Sequence, residues 1–383
     1  MDAKKRLYDE FARHEPELLE TSRWMYDNPE LGNKEFRTSA KYVEILSANG
    51  FDVEYPAYDL ETAFAARIGS SGPEVVICAE MDALPEVGHA CGHNIIGMAA
   101  IGAGLALAPL VEDLGFRLTV LGTPAEETIG GKVDLINAGA FRDIAAAMMI
   151  HPATRDVVDP EFLAISHISV EFFGHEAHAS SSPDLGINAL DAAVQAYGNV
   201  STLRQQLRET DRVHGIITNG GAAPNIIPGY TSMSWGIRAP TDERLDEIYP
   251  RVIRCFEAAA LATGCRMEIK KVGHRYKDMR SDPVMAELYA QNSERVGRKM
   301  NFFGDLPPAT SGSTDMGNVA YECPTIHPML DLYGYPIVNH QREFAALTIT
   351  EVGDRAIRDG ALAMAGTIVD LAEGDRWEEL QSG

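Results

Sequence analysis

The sequence lacks the cysteine pattern of a disulfide-linked protein. Its 383 residues include five cysteines, an odd and scattered set without any Cys-x-x-Cys pair: Cys78, Cys91, Cys255, Cys265 and Cys323. Small domains held by disulfides usually carry an even number of cysteines at close spacing. The set therefore argues against a disulfide framework and predicts a reducing, cytoplasmic location.

Positive charge is also scarce. The chain has 33 Lys and Arg residues against 56 Asp and Glu residues, which gives a formal net charge of −23. A surface this acidic repels the phosphates of nucleic acids and the headgroups of anionic lipids. The composition therefore predicts a protein that has neither nucleic acid nor a membrane as its partner.

Long apolar runs are missing as well. The stretch from Ile95 to Val111 is uncharged, but it has seventeen residues, is rich in Gly and Ala, and contains Pro109. A helix needs about 20 apolar residues to cross a bilayer. The first twenty residues carry charges throughout and contain no apolar core of a signal peptide. We therefore expect a soluble protein in which residues 95–111 form a buried helix.

Strand and helix patterns alternate in the first part of the chain. Residues 5–50 have the spacing of two helices, after which short buried-strand runs occur at 75–78, 117–121 and 145–150. Helical segments at 95–111 and 132–138 separate these runs. This alternation is typical of a parallel sheet that is flanked by helices.

The pattern changes after residue 163. Half-exposed strands at 168–173 and 231–238 accompany a helix at 187–207 and an amphipathic helix around 245–256, which Pro250 should kink or split. Helix and short-strand signals return from residue 282 and end in a helix at about 350–372. The sequence therefore predicts an α/β domain with a mostly parallel sheet from residues 1–163 and 280–383. Residues 164–279 would form an inserted α+β domain.

Ligand-type side chains follow the strands of the predicted parallel sheet. They are Asp82, Cys91, His93, the pair Glu126-Glu127, and His151. Ligands bind at the carboxyl ends of strands in open α/β sheets, so these side chains should converge on one site. Thiolate, imidazole and carboxylate together favour Zn²⁺ or a similar transition ion over Mg²⁺ or Ca²⁺.

The adjacent pair Glu126-Glu127 indicates a mechanism. One carboxylate can bind a metal while its neighbour faces a water molecule whose pKa the metal lowers to about 7, and that neighbour can act as a general base. Taken singly, such a pair is usually solvated, and a lone Cys91 or His151 is usually an ordinary core residue. The coincidence of all of them at successive strand ends predicts a functional site.

Three strings carry a family resemblance: MDALPEVGHACGHN at 81–94, GTPAEE at 122–127 and IHP at 150–152. They resemble the motifs of the M20 metallopeptidase and amidohydrolase family. The resemblance continues in 174–179, 225–228, 311–318 and His340. Within the family, the chain is most similar to aminoacylases, auxin-conjugate hydrolases, aminobenzoyl-glutamate hydrolases and M20-domain dipeptidases.

The resemblance implies a role for each matching residue. The ligands of a two-metal site would be Cys91, His93, Glu127, His151 and His340. Cys91 would bridge the two ions, Glu126 would be the general base, and Asp82 would orient a ligand from outside the coordination sphere. Glu80 occupies a position where other branches carry a metal-binding histidine, and it remains unassigned. The ions would be Zn²⁺ or Mn²⁺, with Co²⁺ also acceptable.

The inserted domain would be a lid and dimerisation domain, and residues 1–163 and 280–383 would form the catalytic domain. The resemblance implies that His178 polarises the scissile carbonyl in the active site of a partner subunit within a homodimer. It also implies that Asn225 and Arg238 contact the carboxylate end of the substrate.

The leading hypothesis is a metal-dependent amidohydrolase that cleaves a dipeptide, or an N-acyl or aroyl amino acid, next to a free carboxylate. A metal-free thiol hydrolase with Cys91 as nucleophile and His93 as base is the alternative enzyme, although it leaves Glu127, His151 and His340 without a role. A non-catalytic binding protein of the same fold is the third possibility. Chelation and a hydrolysis assay with added metal distinguish the three.

Overall fold

The computed structural model describes residues 3–306 and 312–381. The chain divides into two compact units. The first comprises the described residues of Met1–Glu161, Met279–Ser311 and Asp315–Gly383, and the second comprises Phe162–Asp278 with Gly312–Thr314. Ser311, the first residue of the 311–318 motif, lies outside the described residues.

Strands and helices are numbered along the chain. The strands are β1 (Asp52–Glu54), β2 (Phe64–Ile68), β3 (Glu74–Glu80), β4 (Arg117–Thr123), β5 (Ala146–Met148), β6 (His151–Ala153), β7 (Ala164–Phe173), β8 (Ala177–His178), β9 (Arg212–Asn219), β10 (Ile226–Ile227), β11 (Tyr230–Ala239), β12 (Arg266–Lys271), β13 (Thr325–Ile326) and β14 (Met329–Asp331). The α-helices are α1 (Ala3–Asp27), α2 (Phe36–Ala48), α3 (His93–Leu107), α4 (Val111–Leu114), α5 (Gly131–Asn137), α6 (Ala189–Arg204), α7 (Asp242–Thr263), α8 (Pro283–Arg295), α9 (Met316–Ala320), α10 (Arg342–Leu347) and α11 (Glu351–Glu373).

A six-stranded sheet forms the centre of the first unit, in the order β1-β2-β4-β3-β5-β13. Strand β3 pairs in parallel with both β4 and β5, and β13 pairs in parallel with β5. The two pairings at the other edge, β1 with β2 and β2 with β4, are antiparallel. The predicted α/β class with a mostly parallel sheet is confirmed, and the parallel part places the carboxyl ends of β4, β3 and β5 side by side.

Helix α3 is the central helix of this unit and packs against α1, α11 and β3. Its small residues allow this close packing, since a Cβ atom at Gly102 would lie 2.8 Å from the Phe11 ring. The helical stretch from His93 to Leu114 is long and apolar enough to span a membrane, yet 89% of its most apolar window is buried inside the protein. Such burial is typical of the core helix of a folded domain.

The second unit contains an antiparallel sheet in the order β12-β7-β11-β9. One face carries the buried side chains of alternate residues, among them Val170 and Trp235, and helices α6 and α7 cover it. The prediction of an α+β unit is confirmed. Strand β9 lies at an edge of this sheet, and the sequence patterns did not predict it.

The sequence predicts that Pro250 kinks or splits its helix, and the split is wrong, because α7 runs unbroken from Asp242 to Thr263. Proline removes one backbone hydrogen bond from a helix. Apolar residues on both sides of Pro250, including Ile248 and Val252, are buried in the same core. Packing of this continuous apolar face offsets the missing hydrogen bond.

Candidate metal centre

The candidate ligands lie where the parallel strands end. Asp82 follows β3 directly, and the same loop leads through Cys91 to the first residue of α3, His93. The pair Glu126-Glu127 follows β4, and His151 follows β5. Because β4, β3 and β5 are neighbours in the sheet, the topology brings these segments to one edge.

Three groups of ligand atoms converge there. The first is Cys91, His93 and His151, the second is Cys91, Glu127 and His340, and the third is His93, Glu126 and Glu127. Within each group the ligand atoms lie within 4.8 Å of one another. Cys91 belongs to the first two groups and is the residue that they have in common.

Hydrogen bonds at Nδ1 orient the imidazole rings of His93 and His151. The Nδ1 atom of His93 lies 3.0 Å from Oδ1 of Asp82, and Nδ1 of His151 lies 2.7 Å from the Pro152 carbonyl oxygen. Each ring therefore carries its hydrogen on Nδ1, which leaves the Nε2 lone pair available to a metal. Nε2 of His151 is 3.3 Å from the Cys91 sulfur, and burial lowers the pKa of His151 to about 4.

Glu127 and His340 complete the second group. Oε1 of Glu127 is 3.6 Å from Nε2 of His340 and 3.8 Å from Nε2 of His93. The His340 side chain is 58% exposed, and its backbone N–H donates to the carbonyl of Ala90, one residue before Cys91. His340 therefore lies at the open side of the cluster, while His93 and Cys91 lie at its buried side.

The donor set fits divalent ions. Nε2 of His93 and Oε1 of Glu127 are buried and have no hydrogen-bond partner among the described residues. Burial raises the pKa of the Cys91 thiol well above its usual range, with Glu127 adding to the effect. A thiol in this environment is a poor nucleophile by itself, and a bound cation is what would stabilise its thiolate. Thiolate, imidazole and carboxylate donors together suit a transition ion.

Glu126 is partly buried beside these ligands. Burial raises the pKa of its carboxyl group well above the usual range, and the charges of Glu80 and Glu127 raise it further. Geometry alone places Glu126 among the candidate ligands, since it belongs to the group with His93 and Glu127. Its assignment as the base therefore stays a prediction from the sequence.

Sequence patterns missed a buried ion triad next to the cluster. Nζ of Lys132 lies 2.5 Å from Oε1 of Glu80 and 2.7 Å from Oδ1 of Asp315, and all three side chains are buried. The other oxygen of Glu80 lies 3.3 Å from Nε2 of His93. Glu80 therefore pairs with Lys132 instead of belonging to any of the three ligand groups. No sequence signal connects positions 80, 132 and 315.

His327 is a second buried residue that was missed. Its ring centre lies 5.6 Å from that of His151, because β13 and β14 run parallel to β5 and β6. One signal was available in the sequence: the string Ile-His-Pro occurs at 150–152 and again at 326–328. The repeat marks two adjacent strand ends.

His178, Asn225 and Arg238 all lie in the second unit. His178 is exposed on β8, opposite Ile226 of β10, and Asn225 is exposed next to that strand. The Nδ1 atom of His178 accepts hydrogen bonds from the backbone N–H groups of Ser180 and Ser181, at 3.3 and 3.2 Å. These bonds place the ring hydrogen on Nε2.

Arg238 lies on β11, where its Nη1 donates to Oγ of Ser313 over 2.9 Å. Burial lowers the pKa of its guanidinium group, and no carboxylate contributes to that pKa. A partly buried arginine that hydrogen-bonds a neutral hydroxyl retains donors for an anionic ligand.

Comparison with known proteins gives consistent results. Residues 165–263 match the model of the peptidase dimerisation domain of the M20 group. The chain is 36% identical to the Xaa-Arg dipeptidase of Mus musculus over 96% of its own length and 88% of that protein. It is 34% identical to one of the subunits of the p-aminobenzoyl-glutamate hydrolase of Escherichia coli (strain K12), over 64% of this chain and 56% of that protein.

Among solved structures, the fold is similar to that of a dinuclear metal-binding peptidase of the M20 family from Bacillus subtilis. The TM-score is 0.69 at 19% sequence identity, covering 94% of this chain and 99% of that one. At this level of identity the match establishes the shared fold.

Proposed function

The chain belongs to the M20 family of metal-dependent peptidases and amidohydrolases, and we propose which role each site residue has in hydrolysis. It is a hydrolase that cleaves an amide bond. The observation that carries the proposal is the pair of ligand groups that share Cys91, with Glu126 beside them.

Two divalent ions bound by Cys91, His93, Glu127, His151 and His340 would supply Lewis acidity for the scissile carbonyl and for a water molecule. Glu126 takes a proton from the attacking water and delivers it to the leaving amine nitrogen. Asp82 holds the His93 ring through Nδ1 and the backbone N–H of Glu127 through its other oxygen, at 3.0 Å each. Asp82 thereby orients two of the ligands without being a metal ligand itself.

The second unit supplies the groups that recognise the substrate. The Nε2–H of His178 donates to the carbonyl oxygen as negative charge develops on it. Arg238 and Asn225 bind the free carboxylate of the substrate. Because these two side chains would bind a carboxylate, we assign a substrate with a terminal carboxylate: a dipeptide, or an N-acyl or aroyl amino acid.

The mixed donor set supports Zn²⁺ or Mn²⁺ as the ion, with Co²⁺ able to replace them. We place the protein in the cytoplasm, and the five cysteines support this assignment because all of them are free.

Metal-stripped protein should be inactive towards dipeptides and N-acyl amino acids and should recover hydrolysis when Zn²⁺, Mn²⁺ or Co²⁺ is restored. The first substrates to assay are dipeptides with a C-terminal arginine, because of the mouse relative, and p-aminobenzoyl-glutamate, because of the bacterial one. Each is compared with its C-terminal amide, which lacks the carboxylate and should be a poor substrate. Full activity after chelation would instead support the thiol-hydrolase alternative.

We also propose that the protein is a homodimer built through its second unit. Strand β9 is an edge strand, and Ile216 on it is 64% exposed. The exposed side chains of Val194 and Tyr197 add an apolar surface on α6. An exposed strand edge with apolar side chains pairs readily with a second copy of the same chain. The match to a dimerisation domain covers these residues.

His178 is proposed to act in the partner subunit's site, which a mixture of two inactive variants tests. In a dimer of Glu126→Gln with His178→Ala, one site regains both functional groups. Statistical exchange makes half of the dimers mixed, so activity should return to about a quarter of the wild-type value. No recovery despite demonstrated exchange would show that His178 serves its own subunit or has no catalytic part.

A control separates this effect from chance association. Introducing Ile216→Asp into both variants should prevent dimerisation and complementation, as judged by light scattering and by activity. Leu261→Asp is the matched substitution, because Leu261 on α7 is 86% exposed but lies on a helix instead of the edge strand. That variant should leave complementation intact.

A further inference from the structure

The backbone that carries Glu126 has an unfavourable conformation. Ala125, the preceding residue, is fully buried and has a φ of 61°. Residues other than glycine adopt this left-handed conformation at a cost of about 1–2 kcal/mol. Surrounding contacts must therefore hold Ala125 in place, and they also determine the direction in which the Glu126 side chain leaves the backbone.

Two carboxylates hold the backbone N–H groups on either side of Glu126. The N–H of Ala125 donates to Oε1 of Glu35 over 2.9 Å, and the N–H of Glu127 donates to Oδ2 of Asp82 over 3.0 Å. Asp82 comes from the neighbouring strand end, whereas Glu35 is distant in sequence and lies directly before α2. The turn formed by residues 125–127 is therefore held by a hydrogen bond on each side of Glu126, the candidate base.

Glu35 is itself held rigidly. Its side chain is wholly buried, and its second oxygen accepts a hydrogen bond from Oγ1 of Thr62 over 2.9 Å. The segment before it packs directly on the turn, since a Cβ atom at Gly32 would lie 2.5 Å from Oγ1 of Thr128 and 3.1 Å from Cα of Ala125. Because Glu35 directly precedes α2 and binds the backbone of Ala125, it fixes the turn at 125–127 relative to the start of α2.

The contacts of Glu35 are all with neutral donors. Burial, followed by the charge of Asp82, raises its pKa to about 7, and no cation contributes to that pKa. Because the folded-state pKa lies above the ordinary value of 4.5, Glu35 makes the protein less stable as the pH rises from about 4.5 to about 7. A glutamine would keep an acceptor for Ala125 without this cost, so Glu35→Gln is a conservative replacement.

We propose that Glu35 is a positioning residue for hydrolysis, acting through the backbone of Ala125 to aim the Glu126 carboxylate at the reacting water. The proposal rests on the role of Glu126 given under Proposed function. The Glu35 carboxylate hydrogen-bonds Thr62 and Ala125, neither of which is a candidate metal ligand, whereas Asp82 hydrogen-bonds His93 and Glu127.

Glu35→Ala should lower kcat by about 10- to 100-fold, with KM changed less than about twofold and metal content unchanged, since misplacing a catalytic group affects the transition state. Glu35→Gln should keep kcat within about threefold of the wild type, because it preserves the acceptor for Ala125. Asp359→Ala is the matched control: it removes another buried carboxylate, one that binds Arg298 and Arg355, and it should leave kcat unchanged.

A double-variant comparison shows whether Glu35 works through Glu126. In the Glu126→Gln background, Glu35→Ala should lower the residual activity by less than about twofold, because the group that it positions is already disabled. An additive loss, an unchanged kcat in Glu35→Ala, or a Glu35→Gln variant as impaired as Glu35→Ala would each overturn the proposal. A fully active Glu126→Gln variant would instead contradict the proposed function itself.

Thr62→Val keeps the proposal testable if Glu35→Ala does not fold. It preserves the Glu35 carboxylate and removes the hydrogen bond to its second oxygen. A kcat lowered several-fold at constant KM is expected, because Glu35 is then less firmly held. An unchanged kcat in Thr62→Val would count against the positioning role.

Discussion

Replacing Glu126 by glutamine is expected to lower kcat by at least about 100-fold, the lower end of the effect of losing a general base. The substitution preserves the shape of the side chain and removes its ability to accept a proton. The two ligand groups that contain Cys91 do not include Glu126, so the bound metal should remain. The protein should fold normally, because Glu126 is only partly buried.

Elemental analysis and steady-state kinetics on the same preparation test this expectation. Glu127→Gln is the matched control, because it changes the neighbouring carboxylate, which belongs to the group with Cys91 and His340. It should reduce metal content as well as activity. If Glu126→Gln loses metal instead, Glu126 is a ligand, as the third ligand group allows. Retention of more than about a tenth of wild-type turnover would exclude Glu126 as the base.

Replacing Cys91 by alanine is expected to abolish activity, to below about 1% of the wild-type rate, because Cys91 is the ligand that we propose both ions share. Cys91 is the residue common to the two groups that contain His151 and His340. Its loss should therefore lower metal content by more than one ion per subunit, whereas the loss of His340 should affect one ion only. Metal content measured across the two variants distinguishes a shared from an unshared thiolate.

Alkylation provides an independent measurement of the same thiolate. Metal-loaded protein should resist iodoacetamide at Cys91, and stripped protein should become labelled there once the site is open to solvent. Cys323→Ala is the control, since Cys323 is also buried but its sulfur hydrogen-bonds Val319 and Thr325 and belongs to none of the three ligand groups among the described residues. Equal labelling of Cys91 in both states would contradict a metal-bound thiolate.

Several features of the fold could be predicted from local patterns. Alternation of strand and helix signals predicted the α/β unit, and period-two alternation in β7 and β11 predicted the half-exposed strands of the α+β unit. These patterns reflect which face of each element is buried, and that depends on residues close together in sequence. The unbroken α7 was missed because the packing that compensates for Pro250 involves other elements.

Some residues of the candidate site could likewise be found from local sequence patterns, and others could not. Asp82, Cys91, His93, Glu126, Glu127 and His151 could be found in the sequence because they lie in the segments that follow β3, β4 and β5, and the topology of a parallel sheet brings strand ends together. His340 required the family resemblance, since its own surroundings carry no strand signal. The repeated Ile-His-Pro string would have pointed to His327.

The sequence by itself determined the fold class, the donor types at the strand ends and the strongly acidic net charge. The tertiary structure alone decided which groups stabilise that site: Lys132 between Glu80 and Asp315, and Glu35 against the N–H of Ala125. The reason is physical. A buried carboxylate or ammonium must find a partner, and it finds one among residues that are near in space but distant in sequence, as Lys132 and Asp315 are at 183 positions apart.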